Sequence, residues 1–193
     1  MMTEPRRREQ ILATAADLFA ARGFHGVSVS DLGAACGISG PALYKHFPSK
    51  QAVLAEMLVS ISERLLAVGQ ERVATSDGAA DALRDLVDWH TEFALTHRPL
   101  IIVQDRDWES LPEDARDQVR RLQRAYISLW AGQLRTLQPD LDQPAAHAAV
   151  QATFGLLNST PRAGQDIPDA PLRDLLASMA LAALGVPAPA PLG

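Results

Sequence analysis

Apolar residues recur along this chain at intervals of three and four, a rhythm that predicts helices almost throughout. Between Pro5 and Arg22 they fall at Ile11, Leu12, Ala15, Leu18 and Phe19, the single stripe of a helix buried on one face. Gly23 is placed to stop it, since glycine tolerates the left-handed conformation that often follows a helix. Ser28 or Ser30 can cap a short second helix, with Asp31 in its first turn and Val29, Leu32 and Ala35 turned inward. Gly37 ends that helix and Ile38 packs beneath the turn. Ser39 caps a third helix, with Pro41 in the first turn where its missing N–H costs nothing, and Pro48 closes it. Ser49 caps a long fourth helix from about Lys50 into the seventies. After a break at Thr75, Ser76, Asp77 and Gly78, further helices are expected near 79–97, 99–107, 112–137, 143–158 and 170–185, with proline at many of the boundaries. Only Pro99–Gln104 (PLIIVQ) is β-like, and it is too short to build a sheet. The predicted fold class is all-α with about nine helices: a three-helix helix-turn-helix head over residues 1–50, a larger helical body over 51–186, and a proline-alternating tail, 187–193, expected to be disordered.

Composition adds limits. Of 193 residues, 47% are apolar and 21% charged, the balance of an ordinary globular protein. The single cysteine, Cys36, rules out a disulfide framework within the chain and a multi-cysteine zinc site. It fits a reducing compartment. No apolar stretch approaches the roughly 18 residues of a membrane span, and Arg6–Arg8 is not followed by the long apolar core of a secretory signal. A cytoplasmic protein with no membrane partner is expected. The net charge of −5 hides an asymmetry: residues 1–50 carry six cations (Arg6, Arg7, Arg8, Arg22, Lys45, Lys50) against four acids (Glu4, Glu9, Asp17, Asp31). A weakly basic head on an acidic body suits a protein that meets phosphate at one end only.

The informative stretch is Val27–Lys50, VSVSDLGAACGISGPALYKHFPSK. A helix-turn-helix needs two short helices, a tight turn, and a second helix free to enter the major groove. Leu32, Ala35 and Ile38 can bind the pair together with Leu43 and Phe47. Ala34 and Ala35 permit close approach, and Gly37 supplies the turn. Gly40, Pro41, Ala42, Lys45 and His46 are left on the exposed face. Ala16-Asp17-Leu18-Phe19, Arg22-Gly23-Phe24, Ser28-Val29, Leu32, Gly37-Ile38-Ser39, Leu43-Tyr44, His46-Phe47 and Ser49-Lys50 occur here in an order and spacing that resemble the DNA-binding head of the TetR family of one-component regulators. The resemblance covers about a quarter of the chain.

That resemblance implies a role for each matching residue. Ser28 and Ser30 would bind phosphate. Ser39, Gly40, Pro41 and Ala42 would present the reading edge, with Lys45 beside them. Tyr44 and His46 would hydrogen-bond the DNA backbone, and Lys50 would add a charged phosphate contact. Free helix N–H groups and a lysine favour phosphate on physical grounds as well. Gly40 and Pro41 stand where polar or basic residues are common, which leaves few side chains for bidentate base contacts and shifts weight to DNA shape. Tyr44 as a plain core residue, His46 as a passive surface residue and Arg6–Arg8 as a solvated terminus are the alternatives. Cys36 reads most simply as a small buried apolar residue.

For the body, the resemblance implies a ligand pocket and a four-helix dimer interface from the last two long helices. Leu172, Leu175, Leu176, Met179, Ala180, Ala183 and Leu184 form one stripe, and the helix at 143–158 is dominated by small residues such as Ala145, Ala148, Ala152 and Gly155. These two helices, near 143–158 and 170–185, are the expected homodimer surface, unless both stripes face their own core. The pocket candidates are Trp89, Phe93, Trp108, Tyr126, Trp130 and Phe154, with His90, Gln123, Gln151 and Asn158 as groups that could orient a ligand. Aromatic pairs four apart share a helix face whether they serve a core or a ligand. Ser39–Tyr44 and Leu157-Asn158-Ser159-Thr160-Pro161 are similar to words in family members that sense acyl-coenzyme A thioesters. Arg116, Arg120, Arg121 and Arg124 are either solvated or partners for a coenzyme's phosphates.

Together these features predict a dimeric repressor that a small apolar effector, of acyl-coenzyme A type, releases from a palindromic operator; no cofactor, metal or catalytic residue is expected. A helical dimerisation scaffold is the alternative, and a helical enzyme a further one. The enzyme reading would rest on His90 with His97 or on Glu109, Glu113 and Asp114, without any nucleophile elbow, phosphate loop or dinucleotide fingerprint.

Overall fold

The computed structural model describes residues 4–187, with side chains from Arg7 onward. The expected disordered tail, apart from Pro187, and the Arg6 side chain lie outside the described residues. Among those described, nine α-helices follow one another: α1 (Glu4–Arg22), α2 (Val29–Ala35), α3 (Gly40–Leu43), α4 (Lys50–Thr75), α5 (Ala79–Thr96), α6 (Arg98–Asp107), α7 (Glu113–Leu137), α8 (Gln143–Leu157) and α9 (Asp169–Ala183). One turn of 3₁₀-helix, Trp108–Ser110, separates α6 from α7. No strand occurs among the described residues, and the β-like run Pro99–Gln104 lies within α6.

The third helix is shorter than its pattern implies. It stops at Leu43, well before Pro48, and Tyr44–His46 continue as tight turns. Lys45 N–H donates to Ala42 O at 3.2 Å and His46 N–H to Leu43 O at 2.9 Å, the three-residue bonds that tighten a helix at its last turn.

The helices sort into two compact units. The first comprises residues up to Ser62 together with Pro99–Arg121. Ile11, Phe19, Phe24, Leu32, Leu43 and Phe47 form its centre, closed by Val53, Leu54, Met57 and Leu58 of α4 and by Val103, Leu111 and Val119. Compaction therefore does not stop at residue 50, because the first turns of α4 bury their apolar side in the same core. Full burial of a side chain such as Phe19 or Phe47 contributes about 1.5–3 kcal/mol.

The second unit comprises Glu63–Arg98 and the residues from Leu122. Here α5 packs on α8 and α9, and α8 on α9. Leu83, Leu86, Trp130, Leu134, Val150, Leu157, Leu172, Leu176 and Ala180 fill its core. Gly69 of α4 permits a close approach in this unit: a Cβ there would lie 2.7 Å from Tyr126 Cε2 and 3.3 Å from Leu86 Cδ2. The apolar stripe of α9 divides. Leu172, Leu176, Ala180 and Leu184 are buried, while Leu175 and Met179 stay 47% and 46% exposed.

Candidate nucleic-acid interface and effector site

Two serines set the helices of the head. Ser28 Oγ accepts from Asp31 N–H at 3.1 Å while Asp31 Oδ2 accepts from Ser28 N–H at 2.8 Å, a reciprocal cap on α2. The Ser28 hydroxyl and then its backbone N–H hold the Asp31 carboxyl below the usual carboxylate range. Ser39 Oγ accepts from Ala42 N–H at 3.3 Å and starts α3. The turn between the helices depends on Gly33: a Cβ there would meet Ile38 O at 2.8 Å, Gly40 N at 3.0 Å and Ser39 C at 3.1 Å. All three are backbone atoms that cannot swing aside. Gly37, with φ +66° and open space around it, contributes backbone freedom only.

The head presents Ser28, Ser30, Ser39, Pro41, Tyr44 and Lys45 to solvent, with Gly40, Ala42 and His46 half-buried among them. Ser30 stands against α3, since a Cβ on Gly40 would lie 3.7 Å from Ser30 Oγ. Tyr44 is 55% exposed although its neighbours Leu43 and Phe47 are at 2% and 1%. Tyr44 is therefore a surface side chain and not part of that core.

Cations of the first unit make bonds within the protein. Lys50 Nζ donates to Phe24 O and Val27 O, both at 2.7 Å, and lies 4.2 Å above the Phe24 ring. Arg7 donates to Cys36 O at 2.7 Å, at the C-terminal end of α2. Arg8 pairs with both carboxylate oxygens of Glu56, donates to His46 O just past α3, and stacks 4.2 Å over the Phe47 ring. Arg106 of α6 donates to Phe19 O and to Ala20 O at the end of α1, and its charge is met by Asp107 at 3.1 Å. Helix C-termini leave carbonyls without intrahelical partners and carry partial negative charge. Two of the three head helices, α1 and α2, therefore end on an arginine supplied from elsewhere in the first unit, and Arg8 holds the turn that follows α3. Sequence reading did not find these contacts, because their partners are 29, 38 and 86 or 87 residues away.

In the second unit, four expected pocket aromatics surround one histidine. His90 stacks on Phe154 with centroids 4.5 Å apart and planes 2° from parallel. Phe93, Tyr126 and Trp130 lie 5.6, 5.8 and 6.0 Å from it. Asn158 completes the group, its Oδ1 3.1 Å from His90 Nε2. Burial, opposed by the Asn158 bond, lowers the His90 pKa to about 4. Burial raises that of Tyr126, against the Trp130 indole and the Arg72 charge.

Trp89 is not part of this group. It turns to α4, where Arg64 and Arg72 each lie 5.6 Å over its ring. Trp108 is in the other compact unit, with Arg120 5.5 Å over its ring and Arg116 paired to Glu109 at 2.9 Å. Gln151 is exposed on α8.

A capped helix-turn-helix with an exposed reading face, joined to a helical body with a buried aromatic site, defines a DNA-binding transcriptional regulator. Residues 11–57 match the model for bacterial regulatory proteins of the tetR family, and residues 76–162 the tetracyclin repressor-like C-terminal domain. The chain belongs to the TetR family. It is 31% identical to the HTH-type transcriptional repressor KstR2 of Rhodococcus jostii over 66% of this chain, and spans 63% of that relative's length. A TetR-family regulator from Bordetella parapertussis superposes with TM-score 0.79 at 28% identity, covering 90% of this chain and 93% of that one. FadR from Bacillus subtilis, in complex with stearoyl-CoA, shares the fold with TM-score 0.72 at 17% identity, over 91% and 98% of the two chains. No described helix is long and apolar enough to cross a membrane.

Proposed function

We propose that this chain is a homodimeric repressor that a small, largely apolar effector releases from a palindromic operator. Residues 1–50 act as the DNA-binding part and 51–186 as the effector-binding and dimerising part. The observation that carries the reading is the solvent-facing row Ser28, Ser30, Ser39, Pro41, Tyr44 and Lys45 on a pair of helices whose other sides are closed into a core. Lys45 and the Tyr44 hydroxyl contact phosphate. Ser39, Gly40, Pro41 and Ala42 approach base edges, and the smallness of the last three gives reading by fit and shape rather than by forked hydrogen bonds. Lys50 serves the interface by fixing the loop before α2.

Phe93, Tyr126, Trp130, Phe154, His90 and Asn158 hold the effector. An acyl-thioester effector is favoured by the words around Ser39–Tyr44 and Leu157–Pro161. The exposed small and apolar residues of α8 and α9, among them Ala148, Ala152, Gly155, Leu175 and Met179, form the dimer surface. An effector releases DNA only to the extent that it binds the DNA-incompetent state more tightly. The protein acts by binding and not by catalysis.

Footprinting on the DNA upstream of its own gene tests the proposal. Two protected half-sites about 34–36 Å apart, or a multiple of that, are expected from a two-fold dimer. Loss of protection on adding a medium-chain acyl-coenzyme A supports the effector class. Uniform protection without half-sites contradicts the repressor reading.

A further inference from the structure

Resting on the effector site proposed above, the chemistry of its buried polar atoms restricts what can occupy it. Asn158 Oδ1 is a carbonyl oxygen and only accepts, so His90 Nε2, 3.1 Å away, carries the ring hydrogen. The ring is wholly buried and neutral, which leaves His90 Nδ1 as a bare acceptor, and no donor reaches it. Tyr126 is 4% exposed and its hydroxyl has no hydrogen-bond partner. The fully buried Trp130 indole N–H bears on that hydroxyl without a bond of normal geometry. Three polar atoms are thus unsatisfied among rings whose centroids lie 5.8 to 6.0 Å apart. Native proteins seldom leave such atoms unpaired, because each loses its water without compensation.

The set also has a direction. One end, His90 Nδ1, needs a donor. The other, the Tyr126 O–H, needs an acceptor. A group that joins them must do both. A carboxylate, ketone, ether or thioester oxygen only accepts and would set lone pairs against Nδ1; an alcohol donates and accepts.

We propose that the buried end of the effector carries a hydroxyl on an otherwise apolar, uncharged body, and that this hydroxyl donates to His90 Nδ1 while accepting from Tyr126 O–H. Phe154 and Phe93 cover the hydrocarbon around it, and Asn158 fixes the tautomer on which the polarity depends. A thioester, where present, lies away from this end.

Calorimetric titration of the full chain at neutral pH with four probes of one size tests this: β-naphthol, naphthalene, β-methoxynaphthalene and β-naphthoate. β-Naphthol is expected to bind at least about tenfold more tightly than each of the others, about 1.4 kcal/mol. Tyr126→Phe, which keeps the ring, is expected to remove most of that margin. Equal binding of naphthol and naphthalene overturns the inference in favour of a resident water. Equal binding of naphthol and its methyl ether overturns the donor role, and tightest binding of naphthoate overturns the uncharged class. In each of these cases the effector site itself survives. Binding by none of the four removes the site and the inference together.

Discussion

Arg8 reaches the Glu56 carboxylate, the His46 carbonyl and the Phe47 ring at once, so its charge is already answered inside the protein. Its loss should loosen the recognition turn rather than delete a phosphate contact, and the two effects separate in salt. Each phosphate contact contributes about 0.9 to the slope of log affinity against log salt. Arg8→Gln is expected to lower operator affinity tenfold or more with an unchanged slope; a slope reduced by about 0.9 would return Arg8 to the DNA backbone. Lys50 behaves alike. Lys50→Met is expected to cost about 1–3 kcal/mol in urea unfolding through two lost charged hydrogen bonds. Tyr44→Phe should weaken DNA binding while stability stays unchanged, since the hydroxyl belongs to an exposed side chain. His90 makes stability depend on pH. Its folded pKa of about 4 lies below the ordinary 6.5, so the unfolded chain binds the extra proton first. Its contribution is complete above 6.5 and is lost as pH falls from there to about 4, about 3 kcal/mol at most. His97, lowered chiefly by partial burial, acts in the same direction. Stability of His90→Gln followed by urea unfolding should depend less steeply on pH in this window than wild type; an identical slope would contradict the buried neutral ring.

At the scale of elements, helix positions were legible because caps and apolar spacing are local. The Ser39 cap is where the sequence places it, and of the two candidates Ser28 and Ser30 the structure uses Ser28 to cap α2. Contacts that depend on distant chain were not legible. The arginine caps on α1 and α2, and the Arg8 bond to the turn after α3, have no local signature, and Gly33 looks like an indifferent residue inside α2 until the turn folds back over it. Periodicity also cannot say what an apolar residue faces: Leu175 and Leu176 are adjacent in one stripe, yet one is exposed and the other buried. The same holds for Trp89 and Trp108, aromatics that the fold gives to arginines instead of to His90. Gly33→Ala is expected to push α2 off the turn, with loss of operator binding and about 1–3 kcal/mol of stability. Gly37→Ala should cost less, about 1 kcal/mol, since strain without a clash is all it introduces. Paired thermal melts and gel shifts check the order; Gly37→Ala as the more damaging change would contradict the packing.

On the scale of the whole molecule, the proposed repressor needs two copies, and the exposed apolar residues on α8 and α9 are the surface proposed for pairing. Leu175→Glu with Met179→Glu is expected to turn a sedimenting dimer into a folded monomer that binds DNA far more weakly, because one head cannot engage two half-sites. A dimer that persists would move the interface elsewhere. Sequence-specific DNA binding by the head is read by fluorescence anisotropy of the purified protein on DNA from its own upstream region and on a scrambled version, across a salt series. At least about a thousandfold preference for the native sequence is expected at physiological salt. Such specific binding carries a modest salt slope, since Arg7, Arg8 and Lys50 are occupied within the protein. Equal affinity for the two DNAs at every salt concentration, or no binding even at low salt, would contradict it.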